Sequence, residues 1–256
     1  MKVMTTLGKL ADQGRFRLFL WRRIRPHFAG AHGIEIGGPS NPFKATGFMP
    51  VYSAARRVDV CNFSDRTIWE GTLASGFTFA PEGRTIGMQY VCEGSNLSIL
   101  PEGSYDFVLS CHNLEHFANP LKAVSEWLRI LKGDGVLLLV LPDPARTFDR
   151  GRDVTRFDHL LKDFEENVGE DDQTHVPEVV ERTDFSVYPK NIAATTEEFA
   201  GLCRDNLNNR SMHHHVFDRD LLERIFDGFS LKTRFWAKVL PYHQVIVGQK
   251  TAKAAV

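Results

Sequence analysis

The chain has 256 residues, 43% apolar and 25% charged, which is ordinary globular composition and ample length for a core. It suits one large α/β domain or a domain with a sizeable insertion. A formal net charge of −1 excludes a global field that would steer the protein to nucleic acid or acidic lipid. The cysteines (Cys61, Cys92, Cys111 and Cys203) form no close CxxC pair, so free, mostly buried thiols in a reducing cytoplasm are expected rather than disulfides or a cysteine zinc site. Arg15 and Arg17 interrupt any N-terminal apolar run, so no signal peptide is expected, and no apolar run reaches the ~18 residues of a membrane span.

Residues 1–28 mix Phe16, Leu18, Phe19, Leu20, Trp21 and Ile24 with Arg15, Arg17, Arg22, Arg23 and Arg25, and Pro26 ends the pattern. A helix packed on the domain with solvated arginines is expected; a lid, or a basic face for a membrane-bound or anionic substrate, is the alternative. Gly33-Ile-Glu-Ile-Gly-Gly-Pro-Ser40 reads as a short strand entering a glycine turn, where the backbone can approach a ligand closely. Pro39 and Ser40 fill the later positions of a GxGxxG loop, which argues against a nicotinamide oxidoreductase. Val58-Asp59-Val60 reads as a strand ending near a carboxylate, either a ribose-gripping acid or a surface one. Arg56 and Arg57 before it are expected to face solvent. Residues 61–90 read as loop-rich, with Phe63, Ile68, Trp69, Phe77 and Phe79 packing beneath. Residues 90–97 read as a third strand and its exit loop, with Glu93 either a loop acid or an acceptor for an adenine amino group.

Residues 105–141 are the strongest unit. Phe107-Val108-Leu109 is a buried strand ending in Ser110, Cys111 and His112. Asn119 and Pro120 open a helix whose apolar face is Leu121, Val124, Trp127, Leu128 and Leu131, with Gly133 placed to end it. Residues 136–141 form a continuous apolar run, as in a parallel strand covered on both faces. Residues 143–217 are polar and read as an inserted, mainly helical cap. Asp218 caps a helix bearing Leu221, Leu222, Ile225 and Phe226 and stopped by Gly228. Residues 231–235 and 245–247 suggest two antiparallel strands closing the sheet edge, and residues 249–256 a frayed tail.

The order of the glycine loop, Asp59, Glu93, Leu-Ser-Cys-His-Asn-Leu-Glu-His116 and Leu-Lys-Gly-Asp-Gly-Val-Leu137 resembles class I S-adenosylmethionine-dependent methyltransferases. It is most similar to the broad group in which SxHxLEH opens the fourth helix. The resemblance covers roughly residues 33–141 and, more loosely, 213–248. Residues 147–175 with His-His-His-Val-Phe-Asp218 look like a narrower bacterial subgroup whose members tend to sit among surface-glycan genes. The resemblance implies a Rossmann-like, mostly parallel seven-stranded sheet with helices on both faces. The expected division is one domain: an N-terminal helical segment (1–30), a cofactor-binding core (31–142), the cap (143–217), and a closing helix and strands (218–248). The resemblance implies that Glu35, Gly37 and Gly38 approach the methionine part of the cofactor, Asp59 the ribose, and Glu93 and Gly94 the adenine, with His112 beside them. His116 is read as structural.

The sulfonium of S-adenosylmethionine activates the methyl group, so the protein must hold an acceptor in line with it. A hydroxyl acceptor also benefits from a base, and histidine suits neutral pH. The candidates are His175 and the run His213, His214, His215. In an extended segment His213 and His215 face the pocket together while His214 faces away. Catalytic histidines, structural histidines bonded within the cap, and a divalent metal site of His213, His215 and His175 with Asp143 or Asp172 all remain open. Asp143 and Arg146 are candidate acceptor-binding residues. The reading is therefore an O-methyltransferase acting on a sugar or glycan-linked hydroxyl. The alternatives are a small-metabolite O- or N-methyltransferase and a non-catalytic cofactor- or partner-binding protein of the same fold.

Overall fold

The computed structural model describes residues 6–69 and 71–251, with side chains from residue 14 onward. Eight strands form one sheet: β1 (His32–Ile36), β2 (Arg57–Asn62), β3 (Gly76–Phe79), β4 (Gly87–Val91), β5 (Tyr105–Cys111), β6 (Leu131–Pro142), β7 (Leu231–Val239) and β8 (His243–Lys250). Their order is β3-β4-β2-β1-β5-β6-β8-β7. The five central strands from β4 to β6 run parallel, and β3, β8 and β7 are antiparallel additions at the two edges. The count exceeds the expected seven because β3, within the loop-rich stretch, pairs along β4. The sheet is otherwise the expected Rossmann-like one.

Alternation along the parallel strands sends side chains to opposite faces. Val108, Leu137, Leu139 and Leu141 join one core with Trp127 and Leu121 of α3 (Pro120–Ile130) and Leu222 and Phe226 of α8 (Arg219–Gly228). Phe107, Leu109, Val136, Leu138 and Val140 join the other with Leu20 and Ile24 of α1 (Thr6–Ile24) and Val51 of the single turn α2 (Val51–Ala54). Trp127, Phe226, Leu20 and Ile24 are at most 1% exposed. Full burial of such side chains contributes about 1.5–3 kcal/mol each. The caps are as expected: Asn119 accepts from Lys122 N at 3.0 Å, and Asp218 accepts from Leu221 N at 2.9 Å.

Several boundaries differ from expectation. Helix α3 stops at Ile130, before Gly133, because Leu131 already pairs with Tyr105 in the sheet. Leu114–His116 is a separate 3-10 turn rather than the start of that helix. Gln249 and Lys250 pair in β8 and are not frayed; residues 252–256 of the expected tail, like residues 1–5 of the N-terminal segment, lie outside the described residues. Ile68, Trp69 and Phe77 are exposed and do not pack under the loop. All four cysteines are free thiols.

Between β6 and α8 lie α4 (Phe157–Glu165), α5 (Val176–Arg182), α6 (Thr196–Arg204) and the single turn α7 (Asn206–Asn209). This segment has its own small core of Val179, Tyr188, Phe199, Cys203 and Met212. No helix among the described residues is long and apolar enough to cross a membrane.

Candidate active site

The strand order reverses beside β1, whose neighbours are β2 and β5. Open α/β sheets bind ligands at such a point, outside the carboxyl ends of the strands. There the structure has a cavity of about 870 Å³, within the range of small-molecule sites. Its floor is Ile36 and Gly37 after β1, Asn62 ending β2, Glu93 and Gly94 after β4, and His112 after β5. Its roof is Arg146, Phe148, Glu170, Tyr188, Arg210 and His213, all from residues 143–217.

The floor is built from backbone turns. Gly37 has φ +82°, and a Cβ there would come within 2.7 Å of the Asn113 carboxamide. Both facts call for glycine at this turn. Asn113 Nδ2 in turn donates to Ile36 O at 3.2 Å. His112 also has positive φ, +48°, and its Nε2 is 2.8 Å from His243 Nδ1. Burial, then the neighbouring His243 and His213, push the His112 ring down to a pKa of about 3, so it is neutral at physiological pH. Gly94 O accepts from Trp127 Nε1 at 2.9 Å, which ties the loop to the core.

Some expected cofactor contacts lie elsewhere. Asp59 is 1% exposed and does not line the cavity. It sits mid-strand, opposite Ile34, and is held by His32 (2.9 Å), Arg57 (2.8 Å), Met88 N (2.8 Å) and Tyr105 Oη (3.1 Å). Burial alone would raise its pKa, but these partners hold it below the usual carboxylate range. Arg57, expected in solvent, is thus a structural partner. The strand-end position belongs to Asn62, whose Nδ2 donates to Gly38 O at 3.0 Å and leaves Oδ1 able to accept a hydroxyl. Glu35 is fully buried, accepts from Tyr52 Oη, and is also off the cavity wall, as is Gly38. Gly37, Glu93, Gly94 and His112 do line it.

The histidine run divides differently from the alternation rule. His213 lines the cavity, whereas His214, His215 and His175 do not. His215, expected beside His213, instead has Nε2 3.2 Å from Ala118 O and its ring against His159 and His175. His214 Nε2 meets Asn206 Nδ2 at 3.0 Å. The cause is Arg152, whose guanidinium donates to both His213 O (2.9 Å) and His214 O (3.1 Å). These bonds hold the run in an irregular path, so i and i+2 no longer share a face. Asp143, the expected acceptor ligand, is 1% exposed, bonded to Lys238 Nζ at 2.8 Å, and absent from the cavity wall; Arg146 does line it. Arg17 of α1 also lines the cavity and donates to Leu240 O at 2.7 Å, so this arginine is not simply solvated.

The residue that sequence reading passed over is Asp149. It is 2% exposed, and its Oδ2 lies 2.7 Å from His213 Nδ1. Arg152 Nη1 donates to its other oxygen at 2.9 Å. That pairing fixes the His213 tautomer with the proton on Nδ1 and leaves Nε2 as the basic nitrogen. His213 Nε2 is 4.0 Å from Glu115 Oε1, whose burial lifts its carboxyl to a pKa of about 7. Burial opposes the charged form of His213, but Asp149 and Glu115 outweigh it and raise the ring above its ordinary value. The roof and floor also meet through Arg210, which reaches Glu93 at 2.9 Å and Glu170 at 2.6 Å.

Residues 67–139 match the family profile described as "Methyltransferase domain". No curated protein matches the chain. Among solved structures, the PH0226 protein from Pyrococcus horikoshii OT3 aligns with TM-score 0.52 at 13% identity, covering 97% of this chain and 93% of that one. The N-methyltransferase NodS from Bradyrhizobium japonicum WM9 aligns with TM-score 0.50 at 10% identity, covering 93% and 95%. A SAM-dependent methyltransferase from Aquifex aeolicus aligns with TM-score 0.49 at 14% identity, covering 98% and 100%. The Pyrococcus and Bradyrhizobium structures share the fold. The chain therefore carries a methyltransferase domain in a Rossmann-like sheet. It is an enzyme, and its methyl donor is S-adenosylmethionine. The cavity floor fits that donor: a glycine turn, an amide acceptor at Asn62, and a carboxylate at Glu93 surround enough volume to hold it.

Proposed function

We propose that the enzyme methylates a hydroxyl oxygen of a sugar or glycan-linked acceptor, with His213 as general base. The observation that carries this reading is the Asp149–His213 pair at the cavity wall, 2.7 Å apart. Asp149 orients the ring and stabilises the imidazolium formed when Nε2 takes the hydroxyl proton, as acids do in Ser-His-Asp triads. His213 is then the catalytic residue and Asp149 a positioning residue. Residues 143–217 act as the acceptor-side cap. Its polar roof, with Arg146 and Arg210, suits a hydroxyl-rich or phosphorylated acceptor. Asn62 and Glu93 hold the adenosine part of the donor, and Gly37 and His112 border its methionine part.

The test is labelled-methyl transfer from S-adenosylmethionine to a panel of nucleotide sugars, glycans and small amines. His213→Ala should cost about 10²–10⁴-fold in kcat, with donor affinity unchanged by calorimetry. Asp149→Asn should cost a comparable amount. Full activity of both variants, or transfer to amines alone, would overturn the assignment.

A further inference from the structure

Away from the donor cavity, four side chains converge on one point: His159, Asp163, His175 and His215, with a ligand atom of each within 4.8 Å of all the others. His159 and Asp163 are one turn apart on α4, so they share a face. His175 sits at the start of α5, and His215 comes from the irregular run before α8. His159 Nε2 is 3.0 Å from His175 Nε2 and 3.4 Å from Asp163 Oδ2; His215 Nε2 is 3.8 Å from the same oxygen. Tetrahedral zinc bound at ~2.0–2.1 Å by nitrogen and oxygen puts its ligands ~3.3–3.4 Å apart. The three separations bracket that value.

Hydrogen bonding alone accounts poorly for the cluster. Asp163 is 6% exposed, and its Oδ2 accepts no hydrogen bond among the described residues. His215, whose Nε2 faces that oxygen, is fully buried. Buried polar atoms of this kind ordinarily find a partner in protein, water or an ion. Among the described residues there are two other groupings of possible ligands, and each has three members. Glu115, His116 and His213 are accounted for by the base, with His116 and His213 on the cavity wall; Asp172, His175 and His214 share His175 with the four-residue set.

We propose that His159, Asp163, His175 and His215 form a structural zinc site. Three imidazoles and one carboxylate are the donor set of a borderline cation rather than of magnesium or calcium. Four protein ligands close the coordination sphere, which marks a structural and not a catalytic ion. Ligation through His215 Nε2 requires the ring proton on Nδ1 and gives up the 3.2 Å contact with Ala118 O. Asp172, within 4.8 Å of a His175 ring nitrogen, is the outer carboxylate that would orient that ligand. The ion would join α4 and the start of α5 to the run that carries His213 and His215, the latter 40 residues beyond His175. It would thereby fix the backbone two residues from the base. The site depends only on the cluster's geometry, and not on the acceptor or on the role of His213.

The experiment uses tag-free protein stripped with a chelator and then titrated with Zn²⁺ or Co²⁺ alone. One zinc per chain is expected, with a rise in Tm of about 5–10 °C at a hundredfold excess over Kd. Cobalt should give the intense visible bands of a tetrahedral site. Asp163→Asn and His175→Gln, checked for native circular dichroism without metal, should lose those bands and weaken zinc by more than about a hundredfold. His213→Ala should keep both. No stoichiometric zinc binding by the wild-type protein would overturn the site, and so would octahedral cobalt spectra. Binding lost in His213→Ala but kept in Asp163→Asn would also overturn it, by moving the ion to the cavity wall.

Discussion

The floor and the roof of the cavity are built by different physics. The floor is backbone: strand ends, tight turns and amide contacts hung on a parallel sheet buried on both faces. The roof is side chain: Asp149, Arg152, His213 and Glu178 form a chain of charged bonds with little regular structure around it. A site on a sheet inherits its precision from the ladder. A site on the roof depends on every partner being present, because a half-satisfied buried network is costly. The donor is the same for every acceptor, which suits the rigid floor. Under the proposed function, the acceptor meets the roof.

This contrast can be broken by mutation. The largest effect is expected where a floor strand uses charge as the roof does. Asp59→Ala strips a buried carboxylate from four partners and should cost about 3–5 kcal/mol, read as a fall in denaturation midpoint. Donor affinity of the remaining folded protein should hardly change, and a large loss of affinity would return Asp59 to the ribose. Because the folded-state pKa of Asp59 is depressed, its contribution is present above the unfolded value of 3.8 and is lost as pH falls below it. The variant should therefore show a shallower acid limb than wild type in stability measured against pH. Next comes Gly37→Ala, at positive φ and against Asn113, with about 1–3 kcal/mol of strain and a weaker donor complex by calorimetry. The smallest effect is expected at Asn62→Ala, about tenfold in donor affinity for one hydrogen bond, with Tm nearly unchanged. An affinity loss there as large as that of Gly37→Ala would mean that side chains, not backbone, define the floor.

The same contrast explains what could be read from the chain alone. Buried strands announce themselves as apolar runs, and helix starts by Asn119 and Asp218, so the sheet, α3 and α8 were legible. The position of Asp59 within β2 was not. Every residue from Val58 to Asn62 is buried, so no alternation marks where the strand ends. The His213–His215 pairing failed because the alternation rule presumes an extended strand, and Arg152 imposes another path. Asp149 gave no signal: it lies in a 3-10 turn, 64 positions from the ring it orients. The proposed zinc ligands were half visible, as His175 and His215, while His159 and Asp163 were hidden in a helix whose spacing was read only for its existence.

Arg210, at φ +53°, spans Glu93 on the floor and Glu170 on the roof. It works as a cross-brace, and a brace transmits load in both directions. A substitution at Glu93 therefore cannot serve as a pure probe of donor binding, since it also frees one end of the strut that sets the roof height. Conversely, an acceptor carrying phosphate or carboxylate would compete with both acids for the same guanidinium. Acceptor saturation would then register at the adenosine end of the cavity, even though acceptor and adenosine never touch.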